Sequence, residues 1–299
     1  MSDEKILKKI IVGTAQFGSN YGISNQRGKT KAKKVVEIFT FLKKNKIKFF
    51  DTATNYGNAE QLLGKMSQDK FQIITKLPPL PTSEKKVERW VNTKFEKSLL
   101  KLNCKKIYSV LLHRPSDLLG DRGKDLFEAI NNLKKKGLVS KIGISIYNYE
   151  EAKMIVNMYK FDIIQAPFNV IDQRLLKLIN FFKKKKIEIH ARSIFLQGLL
   201  LDRKIFRSKK FKKWQITWDN WEYFCSRKNL NYTDVAINFA IFQKKIDYFV
   251  LGFQDLPQIK EVMNFIKNNS QNKKKYISYL VNNKRFSCLD EKLINPSKW

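Results

Sequence analysis

An α/β fold, a (β/α)8 barrel of the TIM type, is predicted from three observations. Short apolar strands alternate with amphipathic helices eight times, the strands lack the strict alternation of a half-solvated sheet, and no Pro- or Gly-rich linker interrupts the 299 residues. Parallel strands covered on both faces read as such near-continuous apolar runs. A barrel occupies about 250 residues as one unit, so residues 1–299 are expected to form a single domain with a basic tail from about residue 268. Periodicity alone leaves an open doubly wound sheet as the alternative, although eight parallel units close most naturally into a barrel.

The strands are expected at Lys9–Gly13, Lys48–Asp51, Gln72–Lys76, Ile107–His113, Lys141–Ser145, Ile163–Pro167, Glu188–Ser193 and Tyr248–Gly252. The intervening helices are expected at about Lys31–Asn45, Ala59–Met66, Ser83–Leu102, Lys124–Lys136, Tyr149–Tyr159, Arg174–Lys184, Thr233–Gln243 and Leu256–Lys267. In the first of these, Val35, Val36, Phe39 and Leu42 follow one helix face and the lysines between them face water. Two segments fall outside the repeat. Residues 193–231 carry Trp214, Trp218 and Trp221, which could line a substrate mouth or belong to an extra helix on the barrel wall. The tail from about 268 could cap the barrel or cross its mouth.

Composition narrows the function classes. Apolar residues make up 43% of the chain, which argues against disorder, and no run reaches the roughly 18–20 apolar residues that span a bilayer. The acidic start Met1-Ser2-Asp3-Glu4-Lys5 lacks the pattern of a signal peptide, so a cytoplasmic location is expected. Cys104, Cys225 and Cys288 are odd in number and widely spaced, which offers neither a disulfide framework nor a metal knuckle; no metal site is expected. The net charge of +32 would suit a polyanion. Its lysines, however, are spread in helix-surface runs such as Lys43–Lys46, Lys134–Lys136 and Lys183–Lys186 without interleaved aromatics, so nucleic acid is not expected as the primary partner. Oligomeric state is not encoded in any feature of the sequence.

In a barrel the C-terminal strand ends face the active site. Asp51, Lys76 and His113 close strands two, three and four, and Tyr56 rides the loop after Asp51. Singly, each fits a structural role: a cap, a snorkelling lysine, a mouth aromatic, a core histidine. Jointly they fit proton-assisted hydride transfer. A carbonyl accepting hydride develops negative charge on oxygen and needs a proton donor there. Tyr56 would be that donor, Lys76 would draw its pKa down from about 10, Asp51 would hold Lys76, and His113 would orient the carbonyl.

The stretch Phe50-Asp51-Thr52-Ala53-Thr54-Asn55-Tyr56-Gly57-Asn58-Ala59-Glu60-Gln61-Leu62-Leu63-Gly64 resembles the signature of the aldo-keto reductases, and Ile74-Thr75-Lys76 and Leu112-His113-Arg114-Pro115 are similar to the family's next two catalytic strands. The resemblance runs from about Gly13 to Met263. It implies a (β/α)8 barrel, a nicotinamide cofactor, and Asp51, Tyr56, Lys76 and His113 as the catalytic tetrad. It further implies cofactor contacts at Gly13, Thr14, Asp51, Ser145, Gln165, Arg192, Ser193, Gln197, Gly198, Gly252, Gln254, Gln258 and Glu261.

Three positions depart from the family pattern. Ile146 stands where an Asn often contacts the carboxamide, Arg192 where an aromatic often stacks on nicotinamide, and Gln254 where an Arg commonly meets the 2′-phosphate, with Asp255 beside it. The resemblance places NADP(H) ahead of NAD(H), and Gln254 and Asp255 keep NAD(H) in play. The blocks Gln165–Leu175 and His190–Leu200 also resemble a bacterial subgroup often linked with surface-polysaccharide or flagellar glycan genes. The expected function is reduction or oxidation of a small or sugar-like carbonyl compound; the alternative is a nicotinamide-nucleotide-binding regulatory barrel with little turnover. Arg114 or Arg192 would favour an acidic substrate.

Overall fold

A computed structural model describes residues 3–66, 71–267 and 271–299. Eight parallel strands, β1 (Ile10–Gly13), β2 (Phe49–Asp51), β3 (Gln72–Leu77), β4 (Ile107–Leu112), β5 (Val139–Ser145), β6 (Ile163–Pro167), β7 (Glu188–Arg192) and β8 (Tyr248–Gly252), pair in sequence order and close β8 onto β1. The open-sheet alternative is thereby excluded. Each strand is followed by a helix of the outer ring: α1 (Ala32–Lys44), α2 (Ala59–Met66), α3 (Val87–Leu102), α4 (Gly123–Lys135), α5 (Tyr149–Met158), α6 (Ile179–Lys184), α7 (Tyr232–Ile241) and α8 (Leu256–Lys267).

Local chemistry sets the boundaries. Helix α5 begins where the Asn148 side chain accepts the N–H groups of Glu150 and Glu151, and α7 begins on the equivalent bonds from Thr233 and Asp234 to Asn231. Asn103 ends α3 in the left-handed conformation. Helix α3 starts four residues later than its apolar pattern suggests, because residues 83–86 form a turn in which Glu84 accepts the Lys86 N–H. The expected helix Arg174–Lys184 is split: Arg174 folds back onto Asp172 through Nε and Nη2, both at 2.9 Å, and residues 174–177 form a 3-10 turn before α6.

Two apolar layers result. Strand side chains such as Val12, Phe50, Ile73 and Ile144 pack outward against the helices, while Ile11, Ile74, Leu111 and Ile163 fill the barrel interior. Below that interior layer the N-terminal end is closed by Phe49, whose ring meets those of Tyr108 and Tyr248, and by Glu188, which binds His190 Nε2 at 2.6 Å, the Tyr108 hydroxyl and Lys141. The barrel therefore opens for function only at its C-terminal face.

The tryptophan-rich segment forms a helix, Gln215–Arg227, on the barrel wall. Trp218 and Trp221 are buried and donate to the carbonyls of Phe211 and Leu200, both at 3.1 Å, so the mouth-lining reading of these two is corrected. The beginning of the basic tail, 268–270, lies outside the described residues. The rest packs on the loop after β6: Gln173 bonds Leu280 O and Asn282 N, and Cys288 N bonds Ile171 O. Within the basic runs, Lys134 and Lys183 are paired with Asp162 and Asp247 at the barrel base. Among the described residues no helix is long and apolar enough to cross a membrane, no His/Cys/Asp/Glu group could hold a metal ion, and none of the three cysteines is in a disulfide.

Candidate active site

The β1–β2–β3 register sets Asp51 beside Gly13 and Ile74, and backbone bonds continue past the strand ends, from Thr14 N to Asp51 O, Thr52 N to Ile74 O and His113 N to Leu77 O. The loop carrying Tyr56 is fixed by two glycines. Gly57 turns the chain at φ +53°, and a Cβ on Gly18 would stand 1.6 Å from the Tyr56 carbonyl oxygen, so only glycine lets the β1 loop approach there. Glu60, buried at the start of α2, accepts the Thr75 hydroxyl at 2.7 Å and ties this loop to β3.

The four residues expected at the catalytic strand ends come together. Lys76 Nζ lies 2.5 Å from Asp51 Oδ2 and 3.0 Å from Thr52 O, with 1% of its side chain exposed. It also stands 5.3 Å from the centre of the Tyr56 ring, which meets His113 edge to face at 6.2 Å. Gln165 Nε2 donates to the other oxygen of Asp51 at 2.7 Å, whereas Gln165 Oε1 is buried without a hydrogen-bond partner.

The electrostatics correct one expectation. Burial, reinforced by the Asp51 charge, pushes the Tyr56 hydroxyl well above its ordinary range, and the cation working against that rise is Arg192, because Lys76 is committed to Asp51. Burial also pulls Lys76 down, with Asp51 opposing. Burial and the neighbouring Lys76 and Arg192 charges lower His113 to about 4, so its ring is neutral and one nitrogen carries a proton at neutral pH.

A cavity of about 240 Å³ opens at this end. Of the residues expected to hold a cofactor, Gly13, Thr14, Asp51, Gln165, Arg192, Ser193, Gln197, Gly198, Gly252, Gln254, Gln258 and Glu261 line it. Ser145, buried at the end of β5 beside Gln165, is outside that lining, as are Lys76 and His113. Gly252 leaves room for Gln16, whose side-chain oxygen would lie 2.6 Å from a Cβ there.

Each departure from the family pattern has a local explanation. Ile146 contributes its carbonyl, which accepts Arg192 Nη2 at 2.8 Å. The Arg192 guanidinium lies 4.1 Å from the centre of the Tyr147 ring. Asp255 is turned away from the cavity: it accepts the Gln258 N–H and pairs with Arg27, whereas Gln254 stays in the lining. Arg114 is engaged by Asp117 and Leu80 O, outside the cavity.

Residues missed from the sequence come mainly from the loop after β1. Tyr21, Gly22, Ser24 and Asn25 line the cavity, and the Ser24 hydroxyl bonds Gln197 O across it at 3.4 Å. Asn25 knots this loop through Tyr21 O and Gly28 O. Its length and its Gly-Ser-Asn-Tyr-Gly run, residues 18–22, were the available signal.

The model of the Aldo/keto reductase family matches residues 9–280. No curated protein matches the chain by sequence. Among solved structures, aldo-keto reductase AKR11C1 from Bacillus halodurans, in its holo form, superposes with a TM-score of 0.75 at 16% identity, covering 91% of this chain and 92% of that one. Glycerol dehydrogenase AKR11B4 from Gluconobacter oxydans does so with a TM-score of 0.66 at 18% identity, covering 91% and 90%. At such identities these two likenesses speak for the barrel, and the family match carries the assignment: the chain belongs to the aldo/keto reductase family, oxidoreductases that act on carbonyls and alcohols.

Proposed function

We propose that this protein is a nicotinamide-nucleotide-dependent carbonyl reductase in which Tyr56 delivers the proton. The observation that carries the reading is the buried Asp51–Lys76 pair beside Tyr56 at the edge of the cavity. A nicotinamide nucleotide fits the residues present, since the partnerless Gln165 Oε1 is an acceptor suited to a carboxamide N–H. Gly13, Thr14 and Gln165 would hold the nicotinamide end, and Ser193, Gln197, Gly198, Gln258 and Glu261 the rest. When bound, this group supplies the hydride.

The chain's own residues do the proton work. Tyr56 keeps its hydroxyl proton across the neutral range, because burial and Asp51 both resist ionisation, and gives it up to the oxygen on which negative charge develops. His113, neutral, donates a ring N–H toward the same oxygen. Lys76 and Asp51 fix each other and, through Gln165, the floor of the cavity.

NADP(H) is the proposed cofactor. The NAD(H) reading is favoured by one observation: Gln254, an uncharged side chain, lines the cavity where a cation would meet a 2′-phosphate, and the nearby Arg27 is tied to Asp255. Titrating NADPH and NADH by fluorescence quenching, with wild type and Tyr56→Phe, tests both points. The expected result is tighter binding of NADPH, similar nucleotide affinity in the two proteins, and a fall of about 10²–10⁴ in aldehyde turnover in the variant. Binding without turnover in wild type would favour the regulatory barrel instead.

A further inference from the structure

The strand-end cluster carries a charge that its own chemistry leaves unmatched. Lys76 and Asp51 cancel, His113 is neutral, and Arg27 and Asp255 cancel at the rim. Arg192, a permanent cation, lines the cavity, yet among the described residues no carboxylate lies within ion-pair distance of it. Its bonds go to neutral acceptors, Ile146 O, Ser193 Oγ and the Tyr147 side chain, and its guanidinium lies over the Tyr147 ring. The only carboxylates in the lining are Asp51, already paired, and Glu261 on α8, beyond ion-pair reach. Removing a guanidinium from water without an anion is unfavourable, and a ligand that brings one offsets that loss.

We infer that Arg192 is a specificity-determining residue that binds an acid group on the carbonyl substrate, so that the preferred substrates are oxo acids or phosphorylated aldehydes rather than neutral aldehydes. The inference rests on the reductase reading above. Three features hold the guanidinium for this role. Ile146 O, Ser193 Oγ and the Tyr147 side chain anchor three of its five N–H groups, which leaves two for a planar grip on an oxyanion. Stacking on Tyr147 fixes the plane. Arg192 and Tyr56 line the same cavity, which puts the anion subsite and the proposed proton donor in one chamber.

The test compares matched pairs on wild type, Arg192→Lys and Arg192→Met: succinate semialdehyde against butanal, 4-carboxybenzaldehyde against benzaldehyde, and glyceraldehyde 3-phosphate against glyceraldehyde. In wild type the acid member of at least one pair is expected to lead by about tenfold or more in kcat/KM, as one charge-assisted contact allows. In Arg192→Met that ratio should collapse toward one, mainly through KM, with partial retention in Arg192→Lys. The carboxylate and phosphate pairs tell which acid group is read. A wild-type ratio of one or less in every pair overturns the inference, whether or not the variants fold. Calorimetric binding of 4-carboxybenzyl alcohol against benzyl alcohol to the nucleotide-loaded protein separates the two proposals. Selective binding of the acid with no turnover of any aldehyde keeps the subsite and sinks the reductase; turnover without charge preference does the reverse; neither sinks both.

Discussion

Breaking the Asp51–Lys76 pair should cost far more than breaking a surface ion pair, and breaking both halves together should cost less than either. The two side chains are 5% and 1% exposed, so removing one partner strands a charge in the barrel mouth. In Lys76→Met the carboxylate keeps only Gln165 Nε2, at 2.7 Å, and in Asp51→Asn the ammonium keeps only Thr52 O, at 3.0 Å, of the contacts described above. Stranding a buried charge typically costs about 3–5 kcal/mol, against about 0–1 kcal/mol for an exposed pair. The double variant Asp51→Asn/Lys76→Met strands nothing, and its loss should fall to roughly 1–2 kcal/mol, giving a coupling of several kcal/mol where additivity would predict a sum. The sign with pH is also fixed. Burial already holds Lys76 below 10.5, so without Asp51 it sheds its proton more readily, and the Asp51→Asn cost must shrink as pH rises through that lowered value toward 10.5. Urea unfolding at pH 7 and 9, followed by the emission of buried Trp218 and Trp221, measures all four corners of the cycle. Single-variant losses below about 1 kcal/mol, or a double variant equal to the sum, would refute the buried pair and with it the electrostatic account of Tyr56.

Two further outcomes follow from the fold. Burial raises Glu188, but the His190 bond and the Lys141 ammonium outweigh it and hold the carboxyl at about 2. A depressed carboxylate stabilises above its unfolded value of 4.5 and loses that contribution as pH falls toward about 2, so the stability advantage of wild type over Glu188→Gln, about 1–2 kcal/mol after solvent screening, should be present at pH 6 and largely gone by pH 2–3 in urea melts. Gly18→Ala should cost about 1–3 kcal/mol or more and displace the Tyr56 loop, because the added carbon meets backbone; an unchanged melting temperature together with unchanged aldehyde turnover would show that the two loops do not meet as closely as described.

The barrel and the meeting of Asp51, Tyr56, Lys76 and His113 at its strand ends were legible because both are local in the sequence. Eight strand–helix repeats carry their own periodicity, and the apolar runs mark the strand ends, as Asp51 after Phe49-Phe50 shows; Lys76 lies one residue short of the end of β3, which continues to Leu77. What was not legible depends on where loops land. For Trp218 and Trp221 composition left a substrate mouth and a wall helix both open, and only the structure shows their indole N–H groups on backbone carbonyls inside the wall. Ser145 sits at a strand end as expected, but the cavity lining reaches only its β6 neighbour Gln165. The β1 loop had no periodicity to reveal that Ser24 would reach Gln197 or that Arg27 would reach Asp255, contacts spanning 173 and 228 residues of sequence.

Those two long-range contacts bear on how the site would work. The β1 loop crosses from Gly18, pressed on the Tyr56 loop, to Arg27, paired at the start of α8, and passes Ser24 over Gln197 on the way. One segment thus touches the proposed proton donor, the loop after β7 and the loop after β8. Its inner knot, Asn25 to Tyr21 O and Gly28 O, lets it behave as a unit, while its outer ties include the Tyr21 side chain on Gln197, a long hydroxyl bond at 3.4 Å and, at the far end, one ion pair whose arginine is 66% exposed. Exposed pairs contribute little, so the covering segment is held strongly at the Tyr56 end and weakly at the far end. Passage of the proposed nucleotide under it would therefore need only the weak end to lift, and the geometry around Tyr56 and Arg192 could stay assembled while it does.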